Sequence, residues 1–452
     1  MRKPRKKTSF SIVTLGCKVN QFESETIAQE LKQSGIQRIA KNKVPGDEKA
    51  DICIINTCTV THKASMQSRQ AIRQAIRSNP DASIIVTGCL AQTDPDDIRK
   101  IKGVHRIVGH AEKYRIPEII QSTGLTIMTS APADKKCFQP NPPDKAAFSP
   151  LGNKTRPFLK IQDGCNTFCS YCIVPYARGR HRSMPFEDVL TSVRIIKEAG
   201  FHEVVLTGIH LGCYGTDLSP AADLTELLTV LRDQEAIDRI RLSSIEPLEI
   251  TDELITLVSA SSTRPGHMCR HFHIPMQNGD DTILKRMNRP YRQKDFRNRI
   301  QAIHRALPDA AIGADIMIGF PGETDQAFQN TLSFIKSLPL SYLHVFPFSP
   351  RKGTPAYTFP GRVQPDIVKN RCREVRGLGH RKKLAFLEKH MHSEVEVLVE
   401  TTPDVKTGRL TGVTSNYIKV LLDKHEGVQN TFQKVRIEGV RGTQSLVGRV
   451  LT

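Results

Sequence analysis

The chain of 452 residues carries 65 Lys and Arg against 46 Asp and Glu, a formal net charge of +19. That surplus favours a polyanionic partner, and the absence of any apolar run near the ~20 residues of a membrane span points to nucleic acid rather than a bilayer. Eleven cysteines, an odd number, follow an apolar stretch (Phe10–Leu15) too short for a secretory leader; a disulfide framework is therefore not expected, and a cytoplasmic protein with reduced cysteines is.

In chain order, the first block runs from Thr8 to Thr123. Short β-branched runs (Phe10–Leu15, Ile52–Ile55, Ser83–Val86, Arg106–Val108) alternate with helical patterns (Phe22–Ser34, Thr61–Ser78, Pro95–Ile101, Glu112–Gln121). Such alternation predicts a doubly wound parallel sheet. Residues Ser130 to Arg156, with Pro132, Pro140, Pro142, Pro143 and Pro150, read as a linker or long loop. The second block offers strands at Phe158–Gln162, Glu203–Thr207, Arg239–Ile245, His271–Met276, Ile312–Ile318 and Leu343–Phe348, each followed by a helical pattern. Six βα units predict an incomplete barrel, because a full eight-unit barrel takes about 250 residues. Five short strand-like runs after residue 394 predict a small β-barrel. The expected fold class is α/β with four segments: 8–125, a linker over 126–156, a partial barrel over 157–388, and an all-β barrel over 389–452.

Cysteine placement narrows the chemistry. Cys165, Cys169 and Cys172 fall within eight residues at the end of the first barrel strand. Three thiolates at this spacing can wrap a 4Fe–4S cluster and leave one iron open. The alternative is structural zinc closed by a distant fourth ligand such as His181. Cys17, Cys58 and Cys89 each follow one of the first three strands of the N-terminal block, in the polar settings Gly16-Cys17-Lys18, Asn56-Thr57-Cys58 and Thr87-Gly88-Cys89. Ligands in open α/β sheets bind beyond the strand C-termini, so these three can converge on a second cluster. Taken singly, each could equally be a small buried hydrophobe, the reading given to Cys53. Cys137, Cys213, Cys269 and Cys372 have no partner pattern and receive no role.

The Cys165-x3-Cys169-x2-Cys172 triplet resembles that of the radical S-adenosylmethionine (SAM) superfamily. Later segments recur in order: Val205-Leu-Thr-Gly208, Ser243-Ser-Ile-Glu246, His271-Phe-His-Ile-Pro-Met-Gln277 and Ile312-Gly-Ala-Asp315 through Glu323. The resemblance implies that Thr207, Gly208 and Glu246 contact SAM; barrel packing or turn chemistry is the plain alternative for each. With the N-terminal cysteines the resemblance narrows to the methylthiotransferases, which join such a domain to a radical SAM core and a small RNA-binding barrel, TRAM. It covers nearly the whole chain. Gly16-Cys17-Lys18-Val19-Asn20-Gln21 and the run Pro175 to Ser183 look most like the branch acting on N6-threonylcarbamoyladenosine in tRNA. Gln277-Asn278-Gly279 departs from the serine common at its middle position.

What the resemblance implies is a tRNA methylthiotransferase with two 4Fe–4S clusters and SAM. One SAM serves as methyl donor and another as radical source, supported by a low-potential electron donor and a sulfur source. The same chemistry on isopentenyladenosine or on a ribosomal-protein aspartate, and a non-catalytic iron–sulfur RNA-binding protein, are the competing readings. A monomer is expected.

Basic residues cluster unevenly. Lys63, Arg69, Arg73 and Arg77 lie on one helix, the last three at i, i+4 and i+8. Between Leu284 and Arg305, eight basic residues including Arg289 and Arg292 face a single acid, Asp295. The stretch Asp366–His390 and the first ten residues are also basic, whereas the C-terminal barrel is near neutral. Arg69, Arg73, Arg77, Arg289 and Arg292 are the candidate RNA contacts; solvated charge runs are the competing reading.

Overall fold

The computed structural model describes residues 8–39, 49–120, 126–129, 154–260, 265–423 and 427–451. The basic extreme N-terminus, Cys137 and the proline-rich stretch lie outside them. The chain divides into two compact units. One comprises Met1–Ala147, Gln162–Arg182 and Ser349–Tyr357; the other comprises Phe148–Ile161, Ser183–Phe348 and Thr358–Thr452. These units cut across the sequence-derived segments. The cysteine triplet belongs with the N-terminal sheet, and the C-terminal strands belong with the six-unit half.

The first unit is built on six parallel strands, β1 (Ser9–Thr14), β2 (Gln37–Arg38), β3 (Ile52–Thr57), β4 (Ser83–Gly88), β5 (Arg106–Val108) and β6 (Thr126–Met128), in the order 2-1-3-4-5-6. All six residues of β3 are buried, as expected of a central parallel strand covered on both faces. Helices α1 (Lys18–Gln33) and α2 (His62–Ser78) follow β1 and β3. Thr61 caps α2 by accepting from the Ala64 amide at 3.1 Å. Two strands of this sheet escaped the sequence reading. β2 has only two residues, too few for a period to register, and β6 lies in what composition marks as linker.

The second unit contains β7 (Phe158–Lys160), β8 (Glu203–Thr207), β9 (Arg239–Leu242), β10 (His271–Gln277), β11 (Ala311–Ile318) and β12 (Tyr342–Pro347). They pair in parallel as β9-β8-β7 and β10-β11-β12, and a Ser244–His273 bridge links the two sheets. This is the partial (βα)6 barrel expected. Helices α5 (Gln293–Ala306) and α6 (Pro365–Glu388) belong to the same unit.

The tail closes into a five-stranded barrel: β13 (Glu394–Val399), β14 (Thr411–Thr414), β15 (Lys419–Leu422), β16 (Phe432–Arg441) and β17 (Ser445–Val450), ordered 13-14-15-17-16. Val397, Val399, Val420, Leu422, Val435, Ile437 and Leu446 fill it. The tail is keyed to the parallel strands by two buried arginines. Glu203 on β8 accepts from Arg239 Nε at 2.5 Å and from Arg241 Nε at 2.7 Å. The same guanidiniums donate to the carbonyls of Val413 (3.0 Å), Thr414 (3.0 Å) and Ser415 (2.9 Å). The two cations hold the Glu203 carboxyl down at about 2 even though burial alone would raise it.

Candidate functional site

In the first unit the strand order reverses between β1 and β3, the switch point where doubly wound sheets bind ligands. Cys17 follows β1 as the N-cap of α1, and Cys58 follows β3. Cys89 opens a short helix, α3 (Cys89–Thr93), directly after β4. Gly16 has φ +95°, and a Cβ there would sit 2.8 Å from Cys58 Cβ and 2.9 Å from its Sγ. Only glycine lets these two loops approach so closely. The Asn20 side chain ties the loops further, donating to the Leu15 carbonyl at 2.8 Å and the Thr57 carbonyl at 3.0 Å.

The Cys17 and Cys58 loops meet at Gly16, and Cys89 follows the next strand on the same edge of the sheet. Burial pushes the Cys58 and Cys89 thiols up, Cys89 to about 12; the Arg178 guanidinium opposes this in both. Cys17 is exposed, whereas Cys58 and Cys89 are buried.

The Cys165–Cys172 triplet belongs to the same unit. Gly164 (φ +74°) permits the turn before it, where a Cβ would lie 2.0 Å from the Arg180 carbonyl oxygen. The Cys165 amide donates to the Gly179 carbonyl at 3.1 Å, and the Cys172 amide to the Cys169 carbonyl at 2.9 Å. Cys169 is buried, while Cys165 and Cys172 are part-exposed.

Sequence reading missed the charged network between the two sets. Arg178, at the end of a short helix α4 (Val174–Arg178), is buried. It donates to Asn20 Oδ1 (2.6 Å), Glu23 Oε1 (2.9 Å) and Asp163 Oδ1 (2.9 Å). Lys113 pairs with Glu23 and lies 2.8 Å from His110 Nδ1. Two cations and two carboxylates thus balance in the interior. Arg351 adds a third cation near Cys58, donating to Thr59 Oγ1 at 2.6 Å and Ser65 Oγ at 3.0 Å. Arg178 and Asn20 stand in the two motifs that carry the branch resemblance, a signal that nothing local in the sequence converts into contact.

In the second unit, Thr207 and Gly208 end β8 and Glu246 follows β9, at strand C-termini where βα barrels carry their chemistry. Thr207 is buried, and burial raises the Glu246 carboxyl despite its ion pair with Arg289. That pair corrects one reading. Arg289 is 6% exposed, with its guanidinium over the Tyr291 ring, and is not a surface phosphate contact. Arg292 is half-buried and donates to the carbonyls of Arg289 and Tyr291. On α2, Arg73 and Arg77 are exposed, whereas Arg69 is part-buried, 3.7 Å from Asp97. Among the described residues, no helix is long and apolar enough to cross a membrane.

Comparisons with known proteins agree with this arrangement. The family model described as uncharacterized protein family UPF0004 matches residues 9–109, and the radical SAM superfamily model matches residues 159–335. The threonylcarbamoyladenosine tRNA methylthiotransferase MtaB of Bacillus subtilis is 38% identical over 94% of this chain and 92% of its own. That of Chlamydia pneumoniae is 36% identical over 98% and 99%. A tRNA-2-methylthio-N(6)-dimethylallyladenosine synthase from Clostridium tetani is 32% identical over 90% and 89%. Among solved structures, the radical SAM methyltransferase TsrM from Kitasatospora setae is similar in fold (TM-score 0.54, 13% identity, 78% of this chain and 77% of that one). The radical SAM fold implies a 4Fe–4S cluster and SAM, for which the thiol triplet is the fitting donor set. The chain belongs to the MtaB-like radical SAM methylthiotransferase family and is a radical SAM transferase.

Proposed function

We propose that this enzyme converts N6-threonylcarbamoyladenosine at the anticodon-adjacent position 37 of tRNA into its 2-methylthio derivative. One SAM acts as methyl donor and a second as source of the 5′-deoxyadenosyl radical. Relatives named for this reaction over nearly their full length support the substrate. The observation that carries the reading is the placement of Cys17, Cys58 and Cys89 just past the C-terminal ends of β1, β3 and β4, in the unit that also holds the triplet.

Cys165, Cys169 and Cys172 would hold one 4Fe–4S cluster, and Cys17, Cys58 and Cys89 a second, each leaving one iron open. When bound, the clusters and SAM supply the one-electron and methyl-transfer chemistry; the protein positions them and keeps water out. Arg178, fixed by Glu23 and Asp163, holds positive charge among the thiols and favours their ionised form. Thr207, Gly208 and Glu246 are the candidate SAM contacts, with Arg289 orienting the Glu246 carboxylate. Arg73 and Arg77 offer exposed guanidiniums to phosphates, and the target base is reached in a single-stranded loop. An external low-potential electron donor and a sulfur source complete the reaction, and a tRNA substrate fits a cytoplasmic monomer.

Nucleoside mass spectrometry of tRNA from cells with and without the gene tests substrate and reaction together. Loss of 2-methylthio-N6-threonylcarbamoyladenosine, with its precursor accumulating, is expected. Loss of the dimethylallyl analogue instead would move the enzyme to the branch of the Clostridium tetani relative, and no change would overturn the tRNA reading. In vitro, Cys165→Ala abolishes 5′-deoxyadenosine formation, while Cys58→Ala still cleaves SAM but transfers no methylthio group.

A further inference from the structure

Cys213 has no place in either cysteine set, yet the structure gives it partners. β8 is followed by a 3-10 turn, Leu211–Cys213, and β9 by another, Pro247–Glu249. Between them His210, Cys213 and Glu249 present one nitrogen, one sulfur and one oxygen, all within 4.8 Å of one another. Cys213 Sγ lies 3.2 Å from Glu249 Oε1 and 3.7 Å from the His210 ring nitrogens, and His210 Nε2 pairs with Glu249 Oε1. All three residues are part-buried.

We propose that His210, Cys213 and Glu249 form a binding site for a divalent transition-metal ion of zinc type, distinct from both iron–sulfur clusters. Three observations carry it. First, the donor set is one imidazole, one thiol and one carboxylate, a combination that borderline ions such as zinc favour over magnesium or calcium. Second, the sulfur is spaced as a ligand: zinc bonds of about 2.0–2.3 Å at tetrahedral angles place ligand atoms roughly 3.3–3.7 Å apart, and Cys213 Sγ lies 3.2 Å and 3.7 Å from its two partners, while His210 Nε2 and Glu249 Oε1, now in direct hydrogen-bond contact, would part by about 1 Å to admit the ion. Third, Glu249 Oε2 is buried and makes no hydrogen bond among the described residues. A buried carboxylate oxygen without a donor costs desolvation energy that a cation would offset.

The backbone is shaped for the approach. A Cβ on Gly212 would fall 2.1 Å from Glu249 Oε2 and 2.5 Å from Glu249 Cβ, so only glycine lets the two turns close on each other. Three protein ligands leave the fourth position to water or a ligand atom. The ion would clamp the segment after β8, which begins with Thr207 and Gly208 on its N-terminal side, to the segment after β9, which carries Glu246. A second grouping, His273, Asp315 and His344, lacks a thiol, and the His344 side chain is 62% exposed.

The test uses anaerobically reconstituted full-length enzyme, incubated with zinc, gel-filtered and assayed for zinc and iron. About one zinc per chain is expected, with a zinc-edge X-ray absorption spectrum of one sulfur and otherwise nitrogen or oxygen neighbours. Cys213→Ser and Glu249→Gln should each lower retained zinc at least tenfold at unchanged iron content. Three outcomes would overturn the proposal: wild-type enzyme retaining no zinc, both variants retaining the wild-type amount, or a spectrum with three or more sulfurs. The last would assign the zinc to cluster cysteines.

Discussion

Replacing Arg178 by methionine probes the centre of the cysteine-bearing unit. The guanidinium is buried and makes hydrogen bonds to Glu23 at 2.9 and 3.3 Å, to Asp163 at 2.9 Å and to Asn20 at 2.6 Å. Methionine fills much of the volume but removes the cation that both carboxylates share. Glu23 keeps its close ion pair with Lys113, whereas Asp163 keeps the Gly164 amide at 2.9 Å and the more distant Arg182 at 3.9 Å. Removing one member of a buried ion pair costs about 3–5 kcal/mol, mostly because the other charge stays buried. For a unit of this size, each kcal/mol lowers Tm by about 2–4 °C, so a loss of roughly 6–20 °C follows. Anaerobic thermal unfolding of wild type, Arg178→Met, Asp163→Asn and the double variant measures it. The double variant should be more stable than the two single losses sum to, because it removes the stranded charge. Iron content in the same samples reports whether the thiols stay assembled. A drop below about 3 °C in Arg178→Met, or strict additivity, would refute the reasoning.

Glu203 makes stability pH-dependent. Its folded value of about 2 lies below the usual 4.5, so its contribution is present above pH 4.5 and is lost as pH falls toward 2. Between pH 6 and 4 this group should account for about 1 kcal/mol of the wild-type loss in urea unfolding, and that part should vanish in Glu203→Gln. Arg73→Ala with Arg77→Ala should weaken tRNA binding and reduce the slope of log affinity against log salt by about two, one per phosphate contact. Arg289→Ala should leave that slope unchanged and instead weaken SAM binding through Glu246, measured by equilibrium dialysis; a smaller salt slope would restore Arg289 to the RNA face. Gly16→Ala, with φ +95° and Cys58 in the way, should lower cluster iron while leaving the Cys165 triplet competent for SAM cleavage.

The parts of the molecule that obey local periodicity were legible from sequence. Alternating βα segments predicted the parallel strands of both units, and the same reading placed Cys17, Cys58 and Cys89 just past three strand ends of one sheet, where the structure has them. What failed was long-range. Arg289 stands in a run of bases that looks solvated, and only the fold reveals the Glu246 carboxylate beside it. Arg178 and Glu23 are 155 residues apart, and no pattern within either helix announces their pairing. The three-residue strand Thr126–Met128 adds an edge to β5 from within a segment that its composition marks as linker. Cys213 lacked a partner in sequence because its neighbours are His210 and Glu249, not another cysteine.

The two arginines reaching from β9 into the tail change what the C-terminal barrel can be. Glu203 neutralises only one of the two guanidinium charges, and Arg239 Nη2 with both Nη atoms of Arg241 donate to the Val413, Thr414 and Ser415 carbonyls. Cut away after residue 388, the remaining strands would expose this triad to water from below. The barrel is therefore a floor rather than a tether. The barrel is fixed to the same strands that lead to Thr207 and Glu246, and a graft of a different tail would need to supply those three carbonyls to keep the two guanidiniums partnered.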